Sequence, residues 1–356
     1  QEEKSAALLK DKLSENGFTI KQGVANIPTA FIASYGSGKP VIAILGEFDA
    51  LPGVSQTSSP FREKRTDVNA GHACGHHLFG AGSMAAAIEV KDWMKANNIE
   101  GTLRFYGTPA EEGGAGKVYM VREGLFDDVD AVLHWHPSNS NSANAASSLA
   151  NKSAKFRFYG VASHAAGSPW NGRSALDGVE AMNMMVNMMR EHISPESRIH
   201  HVITSGGEAP NVVPEFAEVF YYCRHPEMAM VKQNFEWMVA IAEAAAKGTQ
   251  TKMEYEVIHG LYNVLPNETL ARVVHNNLSQ LGGIEYTSEE TEYANKIIES
   301  FEYASNVSLR LAKNIAPFKV IRQGRGGSTD VGDVSWTVPT AGLRTATWVP
   351  GTSAHT

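Results

Sequence analysis

The densest group of reactive side chains in the sequence is GHACGHH at residues 71–77, which has three histidines and one cysteine. A cysteine thiolate and a nearby imidazole are good ligands for a divalent metal such as zinc. The only other cysteine is Cys223, so no second cysteine pair exists to make a zinc finger. The pattern favours a catalytic metal site whose remaining ligands come from elsewhere. A solvated His-rich loop and a Cys–His nucleophile pair stay open as alternatives.

Two adjacent glutamates, Glu111 and Glu112, follow an apolar segment that begins near residue 101. Adjacent carboxylates repel each other, and a cation or a shared proton relieves that repulsion. Successive side chains diverge in a strand or a turn, so one glutamate can hold a metal while its neighbour acts as a general base. A solvated acidic turn is the alternative interpretation.

Two further pairs have a spacing of two residues. His134 and His136 would lie on one face of a strand, where both could bind a metal, one could orient a ligand, or both could belong to the core. Glu47 and Asp49 could be ligands or could orient a ligand histidine, and Asp49 could instead cap a turn. His355 follows a Pro-Gly turn, and alone it indicates only a solvated side chain.

The elements that must position these residues are apolar segments typical of buried strands. Segments 40–53, 101–114 and 130–137 each run from apolar to polar residues, and a helix is expected over about 80–97. The carboxyl ends of neighbouring parallel strands meet at one crevice. The sequence therefore predicts a doubly wound α/β domain with a mostly parallel sheet and its site along one edge.

The pattern changes after 138–153, whose small polar residues predict a linker or loop. We then expect a strand, a helix, two strands, a helix and a strand, at 155–162, 173–192, 198–206, 216–224, 227–247 and 251–259. This β-α-β-β-α-β order is ferredoxin-like. The predicted catalytic domain is thus discontinuous, 1–153 and 261–356, with an α+β domain inserted at 154–260. In its second part we expect helices at 268–281 and about 290–313, and a last strand and turn at 345–356.

Composition excludes several classes of protein. The chain has 356 residues, 43% of them hydrophobic, and a net charge of −7 without a long basic run, which argues against nucleic acid and membrane partners. No apolar stretch is long enough for a transmembrane helix. Two cysteines cannot build a disulfide scaffold and fit a reducing compartment, so we expect a cytoplasmic protein. Both ends look cut, so they carry no readable targeting signal.

Seven motifs resemble, in order, the successive motifs of the M20 metallopeptidases: GEFDALPG, GHACGHHLFGAGS, GTPAEEGGAGK, DAVLHWHP, GVASHAAGSPWNGRSALDGVE, GGEAPNVVPE and GGSTDVGD. They are most similar to its amidohydrolase branch, which includes aminoacylase-like, indoleacetyl-amino-acid and hippurate hydrolases. The Phe-Gly after the His pair, WHP and STDVGDVSW favour its aminobenzoyl-glutamate utilisation group. The resemblance runs from about residue 2 to 356, and the family ordinarily extends beyond both ends.

The resemblance implies two divalent metal ions per chain, zinc or manganese, with a thiolate that bridges them. The implied ligands are Cys74, His76, Glu112, His136 and His355. His136 is preferred to His134 because the family's ligand stands six residues after the Asp of its Asp-Ala strand, which is Asp130 here. Many relatives have Asp where His77 and Glu47 stand, so His77 is an extra ligand or a spectator.

The implied mechanism uses four more residues. Glu111 would be the general base for a metal-activated water, and His164 of the inserted domain, often lent across a dimer, would stabilise the oxyanion once that domain closes as a lid. Asn211 and Arg224 resemble groups that grip the substrate carboxylate.

The resemblance implies an amidohydrolase that acts on a small-molecule N-acyl amino acid, of the aminobenzoyl-glutamate type. A peptidase or aminoacylase acting on dipeptides or other N-acyl amino acids is the first alternative. A non-catalytic binding partner is the second, and a metal-free enzyme with Cys74 as nucleophile is the third. The expected assembly is a homodimer or a hetero-oligomer.

Overall fold

The computed structural model describes residues 2–301, 307–324 and 326–355. Its α-helices are α1 (Glu3–Glu15), α2 (His76–Asn97), α3 (Gly116–Arg122), α4 (Ala175–Met189), α5 (Met228–Thr249), α6 (Glu268–Leu281), α7 (Ser288–Glu299), α8 (Arg310–Lys313) and α9 (Val331–Thr337). Its strands are β1 (Thr19–Gln22), β2 (Phe31–Ser37), β3 (Val41–Gly46), β4 (Leu51–Pro52), β5 (Ala70–Gly71), β6 (Gly101–Gly107), β7 (Ala131–Ser138), β8 (Ser142–Asn144), β9 (Ala150–Tyr159), β10 (Arg198–Ser205), β11 (Phe216–His225), β12 (Lys252–Leu261) and β13 (Thr340–Ala346). Among the residues described, no helix is both long and apolar enough to cross a bilayer.

One compact unit consists of Gln1–Ser147, Leu265–Arg322 and Asp333–Thr356. Its seven-stranded sheet has the order β1-β2-β6-β3-β7-β13-β8. The four neighbours β6, β3, β7 and β13 run parallel to one another, while β2 and β8 pair antiparallel at either side of them. The prediction of an α/β fold with a mostly parallel sheet is confirmed, and the carboxyl ends of the four parallel strands share one edge.

Helix α2 packs closely against the end of β3, and this packing positions the first residues of the site. Gly80 makes the approach possible, because a Cβ there would lie only 2.7 Å from the carbonyl oxygen of Glu47. Phe31, Phe105 and Leu13 form a fully buried core in this unit. Burial of such side chains contributes about 1.5–3 kcal/mol each and anchors the strand ends.

The second compact unit consists of Ser148–Val264 and Gln323–Gly332. Its four strands follow the order β10-β11-β9-β12 and pair antiparallel throughout. Residues of α4 and α5, among them Val179 and Phe235, share one core with sheet residues such as Phe156 and Val219. The chain order β9-α4-β10-β11-α5-β12 is the predicted β-α-β-β-α-β order. The predicted domain boundaries at 154 and 260 stay a prediction.

Three local predictions differ from the structure. The stretch 138–153 is not only a loop, because it contains β8 and the first residues of β9. Its small side chains fill tight positions, with Ala145 1% and Ala150 0% exposed, so a composition typical of loops reflects close packing here. The last strand begins at Thr340 rather than at 345. The helix predicted over about 290–313 is divided into α7 and α8, and residues 302–306 within it lie outside the described residues.

Candidate metal centre

The predicted ligands of the first unit come from the carboxyl ends of parallel strands and from the start of α2. Cys74 lies in the turn that leads into α2, and His76 is the first residue of that helix. Glu112 follows β6, and His136 lies near the end of β7. His355 joins them through its backbone, because its N–H donates to the carbonyl oxygen of Ala73 at 3.0 Å.

These side chains form two overlapping groups that could each hold a metal ion. The ligand atoms of Cys74, His76 and His136 lie within 4.8 Å of one another, and so do those of Cys74, Glu112 and His355. Within the groups, Cys74 Sγ lies 3.7 Å from His136 Nε2, and His355 Nε2 lies 3.3 Å from Glu112 Oε1. The thiol of Cys74 belongs to both groups, which is the arrangement required of a ligand shared by two ions.

Both imidazoles of the first group are oriented by hydrogen bonds from Nδ1. His136 Nδ1 donates to the carbonyl oxygen of Pro137 at 2.7 Å, and His76 Nδ1 donates to Asp49 Oδ1 at 2.7 Å. The other oxygen of Asp49 accepts the backbone N–H of Glu112 at 2.9 Å. Each ring therefore keeps Nε2 for a metal, and the carboxylate or carbonyl partner fixes its tautomer. Of the three roles open to Asp49, its hydrogen bond to His76 agrees with the one of orienting a proposed ligand histidine.

Buried atoms without partners provide a test of whether a metal fits. In the described part of the chain, His76 Nε2, Glu47 Oε2 and Glu112 Oε1 are buried and make no hydrogen bond. Burying such atoms unsatisfied is costly, and each belongs to a group of side chains that could hold a metal ion, so a cation fits these positions. A donor set of thiol, imidazole and carboxylate suits a borderline divalent ion such as zinc.

The thiol of Cys74 is poorly suited to chemistry without a cation. Burial raises its pKa to about 11, so the thiol is protonated at neutral pH in this environment. A nucleophilic cysteine needs a lowered pKa, whereas a divalent ion deprotonates the thiol that it binds. This argues against the metal-free nucleophile and agrees with a ligand role.

Sequence reasoning missed one buried residue, Lys117 of α3. Its Nζ donates to Glu47 Oε1 at 2.7 Å, and both side chains are almost completely buried. Glu111 also lies here, with its ligand atom within 4.8 Å of those of Glu47 and His76. Lys117 stands inside the AEEGGAGK motif, but a lysine beside glycines gives no sign that it points inward.

The remaining histidines of the motifs belong to neither group. His134 packs against the backbone of Gly342, where an added Cβ would lie 2.4 Å from His134 Nε2. Burial lowers the pKa of His134 to about 4, as expected for a neutral ring in a packed site. The ring of His77 contacts that of His72, with centroids 4.6 Å apart. The structure therefore brings His136 to Cys74, and not His134.

The other three predicted residues lie in the second unit. His164 Nδ1 accepts the backbone N–H groups of Ala166 and Gly167 at 3.2 and 3.0 Å, which puts the ring proton on Nε2. Asn211 lies beside it, because its carbonyl oxygen accepts the N–H of Ala165 at 3.0 Å.

Arg224 lies on β11 of the same unit, with its guanidinium carbon 5.2 Å from the centre of the Tyr222 ring. Its Nη1 donates to Ser328 Oγ at 3.5 Å, and its buried Nε makes no hydrogen bond to a described residue. Among the described residues no carboxylate forms an ion pair with it. Arg224 thus keeps the capacity to bind an anion.

The chain has a mixed α/β unit in which two candidate ligand groups share one cysteine, and a second unit with the ferredoxin-like order of elements. This combination is typical of metal-dependent hydrolases. The chain belongs to peptidase family M20/M25/M40, whose model matches residues 43–342. It is 44% identical to one of the subunits of p-aminobenzoyl-glutamate hydrolase from Escherichia coli K12, over 99% of this chain and 78% of that protein. It is 31% identical to the Xaa-Arg dipeptidase of Mus musculus, over 88% of this chain and 64% of that protein.

A solved structure supports the fold. It is that of a Bacillus subtilis protein described as a dinuclear metal-binding peptidase of the M20 family, with a TM-score of 0.62 and 19% identity. The match covers 100% of this chain and 86% of that one. The predicted family, and with it the class of hydrolases acting on amide bonds, is confirmed.

Proposed function

We propose that this chain is a metal-dependent amidohydrolase that cleaves the amide bond of an N-acyl amino acid, with aminobenzoyl-glutamate as the first candidate substrate. The observation that carries the proposal is the pair of ligand groups that share Cys74, with Glu111 beside them. The choice of substrate rests on the name of the E. coli relative.

Two divalent ions, zinc or manganese, would be held by this chain. The group of Cys74, His76 and His136 would hold one, and the group of Cys74, Glu112 and His355 would hold the other. A divalent ion in such a site supplies Lewis acidity, which polarises a carbonyl group and lowers the pKa of water from about 15.7 towards about 7.

Glu111 is the proposed general base. Its carboxylate reaches the same small volume as the metal-facing atoms of His76 and Glu47. In the reaction it takes a proton from the attacking water and returns that proton to the leaving amine nitrogen. Glu112, the neighbouring residue, belongs to a different group and would serve as a ligand.

The second unit would contribute binding and oxyanion stabilisation. His164 is held as the tautomer with its proton on Nε2, which can donate to the oxygen of the scissile carbonyl. Arg224 and Asn211 would hold the substrate carboxylate, and the planar guanidinium suits bidentate pairing with it. These roles are supported by the donors that both side chains offer.

A cavity in the first unit supports a substrate with acidic and aromatic parts. It has a volume of about 720 Å³, and its lining includes Phe61, Arg62, Lys64, Phe301 and His355. Two cations and two phenyl rings beside a proposed metal ligand fit an aromatic acyl group joined to an acidic amino acid.

The test is an assay of the metal-loaded chain on three substrates: aminobenzoyl-glutamate, hippurate and a dipeptide ending in arginine. We expect the first to be cleaved fastest, with activity lost in EDTA and restored by Mn²⁺ or Zn²⁺. Faster cleavage of the dipeptide would favour the peptidase alternative. Tight binding of aminobenzoyl-glutamate without turnover of any substrate would contradict the proposal and support a non-catalytic binding partner.

We also propose that the protein works as a homodimer or a hetero-oligomer in the cytoplasm. Two different E. coli proteins carry the name of p-aminobenzoyl-glutamate hydrolase, each as one of its subunits, and this chain is 44% identical to one and 24% identical to the other. Such a pair of subunits favours a hetero-oligomer. Sedimentation of the chain alone, and together with the companion protein from the same cell, distinguishes the two assemblies.

A further inference from the structure

The carboxylate of Glu47 is the buried group that the five-ligand set leaves without a role. Glu47 is 1% exposed, and its Oε2 lies 3.1 Å from Nε2 of His76. That nitrogen is the one on the far side of the ring from Asp49, which accepts from Nδ1. Glu47 therefore approaches His76 on the side that a metal would occupy.

This approach is not a hydrogen bond. In the part of the chain that the structure describes, Glu47 Oε2 and His76 Nε2 are both buried and without a hydrogen-bond partner, although they are only 3.1 Å apart. A hydrogen bond would align the oxygen with the N–H direction of the ring. Two ligands about 2.0–2.2 Å from one ion instead lie about 3 Å apart, with their lone pairs converging on the ion.

Lys117 accounts for the orientation of the carboxylate. Its Nζ donates to the other oxygen, Oε1, at 2.7 Å, and its side chain is 0% exposed. The ammonium holds Glu47 ionised, and it leaves only Oε2 to face His76. The same contact is also what a purely structural ion pair would show, so the experiment must separate the two roles.

We propose that Glu47 is a sixth protein ligand of the centre, binding through Oε2 the ion that His76 binds, and that Lys117 positions it. The inference rests on the proposed function, because it assumes the metal centre. A carboxylate added to one thiolate and two imidazoles brings the protein donors of that ion to four. A water or substrate oxygen would be a fifth donor, so this position would accept manganese as well as zinc.

The experiment measures metal binding directly, without an activity assay. The metal-free chain is titrated with Mn²⁺, and separately with Co²⁺ while the visible spectrum is recorded, to obtain the number of ions and the dissociation constant of each. We expect Glu47→Gln to weaken the binding of one of the two ions by at least about 10-fold. That is the smallest effect typical of losing a residue that only hydrogen-bonds to a metal ligand. The cobalt spectrum of that ion changes, while the other ion binds as in the wild type.

The matched control is Lys117→Met, which breaks the same ion pair but keeps the Glu47 carboxylate. We expect it to weaken the binding of the same ion by a smaller factor than Glu47→Gln does, because the carboxylate is kept and only its positioning contact is lost. If Glu47→Gln alone does not fold, the double variant Glu47→Gln/Lys117→Met takes its place. It removes both buried charges together, so the pair of positions stays neutral. It should reproduce the loss of one ion, and it differs from the control only at Glu47.

Wild-type affinity for both ions in the Glu47 variants would overturn the inference. So would an equal loss of affinity in Lys117→Met, because the ion pair rather than ligation would then be responsible. A wild-type chain that binds no ion at all would contradict the proposed function itself.

Discussion

The two units treat their partly buried charges in opposite ways. On the sheet of the second unit, Arg157 donates to Glu218 and Glu256 at 2.7 Å each, and Lys155 lies 3.1 Å from Glu218, so these charges are paired within the sheet. At the edge of the seven-stranded sheet, His76 and Glu112 keep buried atoms that no described residue satisfies. The paired charges on the sheet of the second unit fit a structural role, whereas the buried atoms at the strand ends of the first unit fit the proposed role in binding a metal ion.

The second unit has its own exception to this rule. Arg224 Nε and Asn151 Oδ1 are buried and make no hydrogen bond in the described structure. The two residues are directly paired in the register of β11 with β9. Arg224 is one of the residues that we propose bind substrate, so the comparison extends to the second unit as well.

The largest effect should come from removing the proposed base. Glu111→Gln keeps the size of the side chain but cannot accept a proton, so turnover should fall by about 10²–10⁴-fold. Metal content measured on the same sample should stay at the wild-type value. A variant that retains most of its activity would show that Glu111 is not the base.

The two histidines of β7 offer a matched pair. His136→Ala removes a proposed ligand and should weaken metal binding by about 10–100-fold or more. His134→Ala should leave metal binding unchanged and lower the free energy of unfolding by about 1–3 kcal/mol, because it only removes packing against Gly342. Metal titration and denaturant unfolding of both variants check the assignment, which equal metal affinity in the two variants would refute.

Two arginines of the second unit provide the next contrast. Arg224→Lys should raise KM by about 10–100-fold with a smaller change in kcat, because a lysine cannot pair with a carboxylate in two places. Arg157→Lys alters an arginine that is already paired with Glu218 and Glu256, so it should leave KM unchanged. Steady-state kinetics of both variants test this, and a KM unaffected in Arg224→Lys would remove Arg224 from the substrate site.

The smallest effect concerns the pH dependence of stability. Burial, with the charge of Arg224, lowers the pKa of His259 to about 4, and the ring instead contacts Ser153 and Asn151. The unfolded chain binds that proton near pH 6.5, so folding stability should fall as the pH drops from about 6.5 to about 4. His259→Gln should lack this component, which is about 1 kcal/mol after allowing for solvent contact. Thermal unfolding of both chains across this pH range measures it, and parallel curves would contradict it.

Much of the candidate site could be predicted because its ligands follow strands with a clear apolar pattern. Cys74 precedes a recognisable helix and His76 begins it, while Glu112 follows one parallel strand and His136 lies near the end of another, so the rule for strand ends brings them together. Period-2 spacing alone could not choose between His134 and His136, since both project from the same strand. The packing of His134 against Gly342, which only the tertiary structure reveals, makes the difference.

Other features depend on contacts between residues distant in the sequence. Lys117 is paired with a residue 70 positions away, and a local pattern around a lysine does not indicate burial. The strand β8 was missed for a similar reason, because its partner β13 lies almost 200 residues later, and its own residues are small and polar. Tertiary packing overrides local propensity at both places.

The central claim is that Cys74 is shared by two metal ions, and the number of ions per chain tests it most directly. The metal-loaded wild type and Cys74→Ala are separated from free metal, and their metal and protein contents are measured by elemental analysis. The account predicts two ions per wild-type chain and the loss of both in the variant, since each ligand group would lose its common member. Two ions retained in Cys74→Ala, or none in the wild type, would contradict it.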